Sequence, residues 1–281
     1  MPATKRAGTI RWRPYDRAIG AGELLVSSPL AAPGLAPRQL LAYLPPGYAA
    51  RGRHPVALLL DGQNLFDEAT AFAGSWQAAA TVDALAAEGL APVVIGVPNG
   101  GRARVFEYSP FRDPRFGGGG APKTLGFLEN SVRPLVTRSF GVARGAESWV
   151  LGGSSLGGHF ALWAFFAAPE AFGAALAMSP TTRFAGEALH EWIEGAPSRP
   201  GRLWLDCGAE EGRRPGARPG RARRPRPTAY VRRVRRLRRA LEARGFRRGE
   251  TLGYLEQAGA GHQESAWASR LPEALRFLLA G

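Results

Sequence analysis

The chain has 281 residues, with 37 Lys plus Arg against 23 Asp plus Glu and a formal charge of +14. Sixteen arginines and one acid, Glu242, fall between Gly212 and Arg248, leaving 21 bases against 22 acids elsewhere, so the excess is one local feature on a nearly neutral protein. A content of 45% hydrophobic and 21% charged residues excludes disorder throughout, the apolar runs fall far short of the ~20 residues that span a bilayer, and the lone Cys207 excludes an internal disulfide. The polar start, without an apolar signal core, makes a cytoplasmic location the expectation.

Short apolar runs bounded by Gly and Pro predict strands at 22–27, 38–44, 55–60 and 92–97, then at 148–152, 174–178, 201–207 and 251–256. Helical stretches interleave with them. Ser75 reads as the N-cap of a helix reaching Glu88, with Gly89 as its stop. A helix over 124–140 holds Pro134 and is expected to kink or break there. Further helices are expected from Ser155 to about 168, over 230–244 and over 264–280, and ALHEWIEG around His190 is also helical in pattern. Two opening strands at a hairpin-like distance, followed by strand and helix in alternation, predict a mostly parallel sheet with an antiparallel start and helices on both faces. The chain is expected to form one α/β domain over 1–281, with an Arg/Pro/Gly-rich surface loop at about 212–228.

The sharpest chemical signal is SWVLGGSSLGGH at 148–159, an apolar strand running through a glycine-rich turn into a helix. Gly153, Ser155 and Gly157 make GxSxG, where small neighbours let the chain turn tightly and lift the serine hydroxyl clear of the sheet. Ser154 has the wrong spacing, because Leu156 would replace the second glycine. Of the four histidines, His54 precedes the serine, His159 lies one turn into the following helix, and His190 follows no strand. His262 follows the last strand through the small-residue loop QAGAG, which suits a general base. The acid is sought after the strand at 201–207, where Asp206, Glu210 and Glu211 compete. Glu211 ranks first because it lies beyond Gly208 and can reach across to His262, while Asp206 is still inside the strand. An oxyanion would be held by the backbone N–H of Leu156 and that of Gln63 in the turn after the strand at 55–60, where Gly62 permits a tight turn.

Several ordered motifs carry a broader likeness. YLPPGY at 43–48, LDGQNLFD at 60–67, RVFEY at 104–108, GGSSLGG at 152–158, and Gly261-His262 followed by Trp267 resemble the putative esterase family of α/β hydrolases. That family includes esterase D, the enterochelin and bacillibactin esterases, feruloyl esterases and the antigen 85 mycolyltransferases. The resemblance covers about 24–279. It implies an α/β-hydrolase fold with a central sheet of about eight strands, Ser155 as nucleophile, His262 as base, an acid near Glu211, and Gln63 and Leu156 as oxyanion donors. The arginine-rich segment just after Glu211 departs from the family pattern.

The expected function is a serine carboxylic-ester hydrolase acting on a small-molecule ester, with no cofactor, metal or membrane partner. An acyltransferase differs only in the acceptor that resolves the acyl-enzyme. The competing class is a non-catalytic binding protein that uses the arginines for nucleic acid or an acidic partner. Against nucleic acid, Tyr230, Val234, Leu237 and Leu241 form an apolar stripe with arginines on the remaining face, and Tyr230 is the only aromatic among them available to stack a base. Oligomeric state is not readable from this pattern.

Overall fold

The computed structural model describes residues 10–213 and 226–280. In chain order its strands are β1 (Trp12–Pro14), β2 (Glu23–Ser27), β3 (Leu30–Ala32), β4 (Leu35–Arg38), β5 (Leu41–Leu44), β6 (Val56–Leu60), β7 (Val93–Val97), β8 (Arg112–Asp113), β9 (Gly117–Gly118), β10 (Trp149–Ser154), β11 (Ala174–Met178), β12 (Arg202–Gly208) and β13 (Leu252–Gln257). The helices are α1 (Ala78–Ala87), α2 (Arg104–Tyr108), α3 (Ala121–Phe127), α4 (Arg133–Ser139), α5 (Leu156–Ala167), α6 (Ala188–Gly195), α7 (Ala229–Ala243) and α8 (Glu264–Leu279).

Nine strands make one sheet in the order β1-β2-β5-β7-β6-β10-β11-β12-β13, and two small hairpins, β3-β4 and β8-β9, stand apart. Pairing is antiparallel from β1 to β7 and parallel from β7 to β13. The central strands β6, β7, β10 and β11 are buried along their whole length, as their continuous apolar sequences require when helices cover both faces. Alternation divides them between two cores. Val56, Leu58 and Leu60 face the layer containing α3 to α7, whereas Ala57 and Leu59 face α1 and α8. Among the described residues no helix is long and apolar enough to cross a membrane.

The expected elements are present with four adjustments. The strand expected at 38–44 is split: Arg38 ends β4 in the small hairpin, opposite Leu30 and held by Glu107, and only Leu41–Leu44 join the main sheet. Ser75 does not cap α1 directly: Gln77, in the left-handed region at φ 50°, precedes the first helical residue, and the Ser75 hydroxyl accepts from the Gln77 N–H at 3.0 Å. The helix expected at 124–140 begins earlier, at Ala121, and passes through a π turn at Leu128–Val132 before Pro134. A proline has no N–H for the ordinary helical bond, and the wider turn absorbs that missing donor. On α7 the buried stripe is Val231, Val234, Leu237, Ala240 and Leu241, with Val231 in place of the expected Tyr230. Tyr230 turns toward the sheet edge, where its hydroxyl donates to the carbonyl of Pro180 at 2.9 Å. Thr228 caps the helix by accepting from the Val231 N–H at 3.2 Å. Most of the expected arginine-rich loop, 214–225, lies outside the described residues.

Parallel pairing aligns the carboxyl ends of the strands. Ser154 lies beside Met178, Met178 beside Asp206, and Gly208 beside Gln257. The loops after β6, β10, β11, β12 and β13 therefore leave along one edge, where open α/β sheets place their ligands.

Candidate active site

Ser155 stands between β10 and α5 with φ 56° and ψ −118°. This conformation strains a residue with a side chain by about 1–3 kcal/mol, so the surroundings must enforce it. Two backbone bonds do so: the Ser155 N–H donates to the Met178 carbonyl at 2.9 Å, and the Ser155 carbonyl accepts from the Thr181 N–H at 3.0 Å. The GxSxG spacing has a direct steric cause, since a Cβ on Gly153 would lie 2.9 Å from the Gly157 backbone. Ser154, the last residue of β10, is buried although it too borders the cleft beside Ser155, and among the described residues its hydroxyl makes no hydrogen bond with a histidine.

The Ser155 hydroxyl lies 3.0 Å from His262 Nε2, and His262 Nδ1 lies 2.7 Å from Glu211 Oε2. His262 sits edge-on between the rings of Trp267 and Tyr230, with centroids at 5.1 and 5.9 Å. Glu211 is buried. Its Oε1 accepts from the Ser179 hydroxyl at 2.5 Å and from the Gly208 N–H at 2.7 Å. The Ser179 hydroxyl in turn accepts from Trp267 Nε1 at 3.0 Å and from an Arg270 NH2 group at 2.9 Å.

The other expected acids face elsewhere. Glu210 turns outward and pairs with Arg213. Asp206 is buried in β12, 3.2 Å from Arg270, and accepts from Trp204 Nε1 at 2.8 Å and from the Ser179 N–H at 3.1 Å. Burial pushes its carboxyl up to about 6, opposed by the charge of Arg270. The remaining histidines make structural contacts: His54 Nδ1 with the Ala91 carbonyl, His190 Nε2 with the Arg233 carbonyl, and His159 Nδ1 with the Thr181 carbonyl at 2.8 Å. Burial lowers the pKa of His159 to about 4, so it is neutral.

Leu156 opens α5, where a first-turn N–H has no helical carbonyl to pair with. Gln63 lies in the single 3₁₀ turn Gly62–Asn64 after β6. The tight turn itself is made by Asp61, at φ 56°, and not by Gly62. Glycine is needed at 62 for another reason: a Cβ there would lie 2.6 Å from the backbone of Gly96 and Val97. Asp61 is locked by a bidentate pair with Arg104 at 2.8 and 2.7 Å, by Asn99 Nδ2 at 2.6 Å, and by its own N–H donating to the Tyr108 hydroxyl at 3.1 Å. The same helix carries Glu107, whose carboxylate pairs with Arg38 at 2.8 and 2.9 Å in a fully buried contact and accepts from the Gly100 N–H at 2.9 Å. The LDGQN and RVFEY motifs are thus two halves of one support for the Gln63 turn. Their sequence order gave no hint of this pairing, and Ser179, Thr181 and Arg270 carried no motif at all.

These residues border a cleft of about 760 Å³ that includes Gln63, Asn99, Arg104, Ser155, His262 and Trp267. Phe72, 90% exposed, stands at its rim. A family model described as putative esterase matches residues 36–278. The chain belongs to the putative esterase family. The siderophore triacetylfusarinine C esterase of Aspergillus fumigatus is 39% identical over 137 residues, 47% of this chain, and the match spans only 45% of that esterase. YbbA of Bacillus subtilis is 25% identical over 86% of this chain and 92% of its own length. Among solved structures, the siderophore hydrolase EstA from Aspergillus nidulans has a TM-score of 0.65 at 23% identity, covering 91% of this chain and 93% of that one. The enterobactin esterase of Shigella flexneri has a TM-score of 0.65 at 20% identity, covering 85% of this chain and 54% of that one. The fold is that of the α/β hydrolases expected from the motifs, with nine strands in its sheet where about eight were expected.

Two of the arginines of α7 pair with acids on neighbouring elements. Arg235 pairs with Glu256 at 2.7 Å and Arg236 with Glu187 at 2.6 Å, both in partly exposed contacts.

Proposed function

We propose that this protein is a serine carboxylic-ester hydrolase. The observation that carries the reading is the hydrogen-bonded series from Ser155 Oγ through the His262 ring to Glu211, set on a strained turn beside the first N–H groups of α5. Ser155 Oγ attacks the ester carbonyl carbon as His262 Nε2 takes its proton. Glu211 holds the imidazole in the tautomer whose Nε2 lone pair faces the serine and stabilises the imidazolium that forms. The carbonyl oxygen becomes an oxyanion held by the N–H groups of Leu156 and Gln63, each worth about 3 kcal/mol in such a site. Collapse expels the alkoxide, which takes the proton from His262. Water then attacks the acyl-enzyme with His262 again as base, releasing the acid and restoring Ser155.

Ester-bearing siderophores are the first substrates to try, because the relatives of A. fumigatus and A. nidulans are named for acting on siderophores. The decisive test is Ser155→Ala assayed on p-nitrophenyl acetate, with fluorophosphonate labelling of the wild-type serine. Hydrolysis should fall at least about a thousandfold with the fold intact. Hydrolysis retained by that variant, or labelling at another residue, overturns the assignment.

A further inference from the structure

A second, smaller pocket of about 300 Å³ shares His262 with the main cleft and is walled by Thr181, Thr182, Arg183, Tyr230 and Arg233. Thr181 connects it to the reacting centre, since its hydroxyl oxygen lies 3.3 Å from Ser155 Oγ. Thr181 and His262 thus set the pocket next to the reacting centre.

Two guanidinium groups line it. Arg233 Nε donates to the Thr182 hydroxyl at 3.1 Å, which fixes the plane of its fork. Among the described residues no carboxylate lies within salt-bridge distance of either Arg183 or Arg233, although Arg235 and Arg236 on the same helix each have one. Glu187, the acid whose charge acts on Arg233, is held by Arg236 at 2.6 Å. Glu211 also borders the pocket, but its oxygens are engaged by His262, Ser179 and the Gly208 N–H. Burial, and next the like charge of Arg183, lower the pKa of the Arg233 guanidinium, with the charge of Glu187 opposing them.

We propose that Arg183 and Arg233 form a carboxylate-recognising subsite beside His262, which selects esters carrying a carboxylate on one half of the molecule. A planar guanidinium offers paired N–H donors that match the two oxygens of a carboxylate, and a neighbouring arginine adds attraction without needing to move. The threonine hydroxyls supply further donors at the pocket wall. This subsite rests on the ester-hydrolase reading for its catalytic role, but its binding role can be measured separately.

The test uses two matched pairs of esters: 4-acetoxybenzoic acid against its methyl ester, which places the carboxylate on the alcohol half, and phenyl hydrogen succinate against phenyl butyrate, which places it on the acyl half. For wild type, Arg183→Gln, Arg233→Gln and the double variant, the measured quantity is the ratio of kcat/KM for the acid to that for its uncharged partner. In at least one pair this ratio should fall about tenfold in the double variant, mainly through KM, and wild-type preference for the acid should weaken as salt is raised. Unchanged ratios in both pairs overturn the subsite.

Calorimetric binding of the same four esters to Ser155→Ala at low salt gives a readout that needs no turnover. Binding of the acid should exceed that of its uncharged partner in the pair that shows the kinetic preference, and adding Arg183→Gln and Arg233→Gln should remove the difference. Equal binding of acid and uncharged ester in both pairs overturns the proposal. If wild type hydrolyses none of the esters while Ser155→Ala still distinguishes acid from uncharged ester, the hydrolase reading fails and the subsite stands. If wild type hydrolyses the esters with ratios that the arginine substitutions leave unchanged, the hydrolase reading stands and the subsite fails.

Discussion

Replacing Glu211 by glutamine tests the proposed role of its carboxylate, because the surroundings dictate which way the amide would point. Oε1 accepts from both the Gly208 N–H and the Ser179 hydroxyl. That hydroxyl cannot turn its proton away, since its lone pairs already accept from Trp267 Nε1 and Arg270. In Glu211→Gln the amide oxygen must therefore occupy the Oε1 position. The reverse orientation would oppose the amide NH2 to two buried donors, at about 1–3 kcal/mol for each lost bond. The NH2 group then faces His262 Nδ1, which can meet it only as an acceptor. The ring is thereby forced into the tautomer with its proton on Nε2, pointing at Ser155 Oγ, and the lone pair needed for proton abstraction is lost. A wrong tautomer of this kind lowers kcat about 10⁴-fold, equivalent to about 5 kcal/mol of barrier. The assay is kcat on p-nitrophenyl acetate at saturation, with thermal unfolding to show that the fold persists and Glu210→Gln as the control. Glu210 pairs with Arg213 at the surface, so its variant should retain activity close to wild type. A Glu211→Gln enzyme within tenfold of wild type, or an equal loss in Glu210→Gln, would refute the argument.

Two other variants probe the frame around the cleft. In Gly62→Ala the new methyl would approach the Gly96 and Val97 backbone to 2.6 Å, so the turn carrying Gln63 must shift; stability should fall by about 1–3 kcal/mol and kcat with it. Gly195→Ala, with nothing within 4 Å of its new Cβ, is the control, and an unchanged melting temperature and kcat in Gly62→Ala would contradict the close-approach argument. His159 governs an acid sensitivity. Its pKa is about 4 when folded, because of burial, whereas an unfolded imidazole titrates near 6.5; the unfolded chain binds the extra proton between these values, so stability is full above about pH 6.5 and is lost as pH falls toward 4, by up to about 3 kcal/mol. Denaturant unfolding at pH 7 and pH 4.5 should show wild type losing about 2 kcal/mol more than His159→Gln; parallel losses would mean that His159 is not the group responsible.

Local patterns in the chain made much of the fold legible. Uninterrupted apolar runs such as VALLL and VVIGV require burial on both faces, and their alternation with helical segments leads to a parallel sheet whose loops share one edge. The GxSxG turn was legible because its steric requirement, Gly153 against Gly157, operates over a few residues. So was the concentration of charge in one segment. Where local signals competed, the resolution was tertiary: Arg38 joined the separate β3-β4 hairpin, and the helix before Pro134 widened into a π turn.

By itself, then, the sequence determined the fold class, the family motifs and the separate loops that carry Ser155, Glu211 and His262. Distances among those side chains, the left-handed turn at Asp61, its lock by Arg104, and the orientation imposed on Glu211 through Ser179 and Arg270 were decided only in the folded protein. The contacts of Ser155 with His262 and of Ser179 with Arg270 join residues separated by 107 and 91 positions. Nothing periodic in the chain marks such pairs. They exist because parallel strands bring distant loops to one edge, where burial leaves each polar group dependent on whichever partner the packing supplies. The charge excess divides in the same way: its place in the chain is plain from composition, but only packing distinguishes Arg235 and Arg236, each paired with an acid, from Arg233, which faces a pocket beside His262 together with Arg183 from outside that segment.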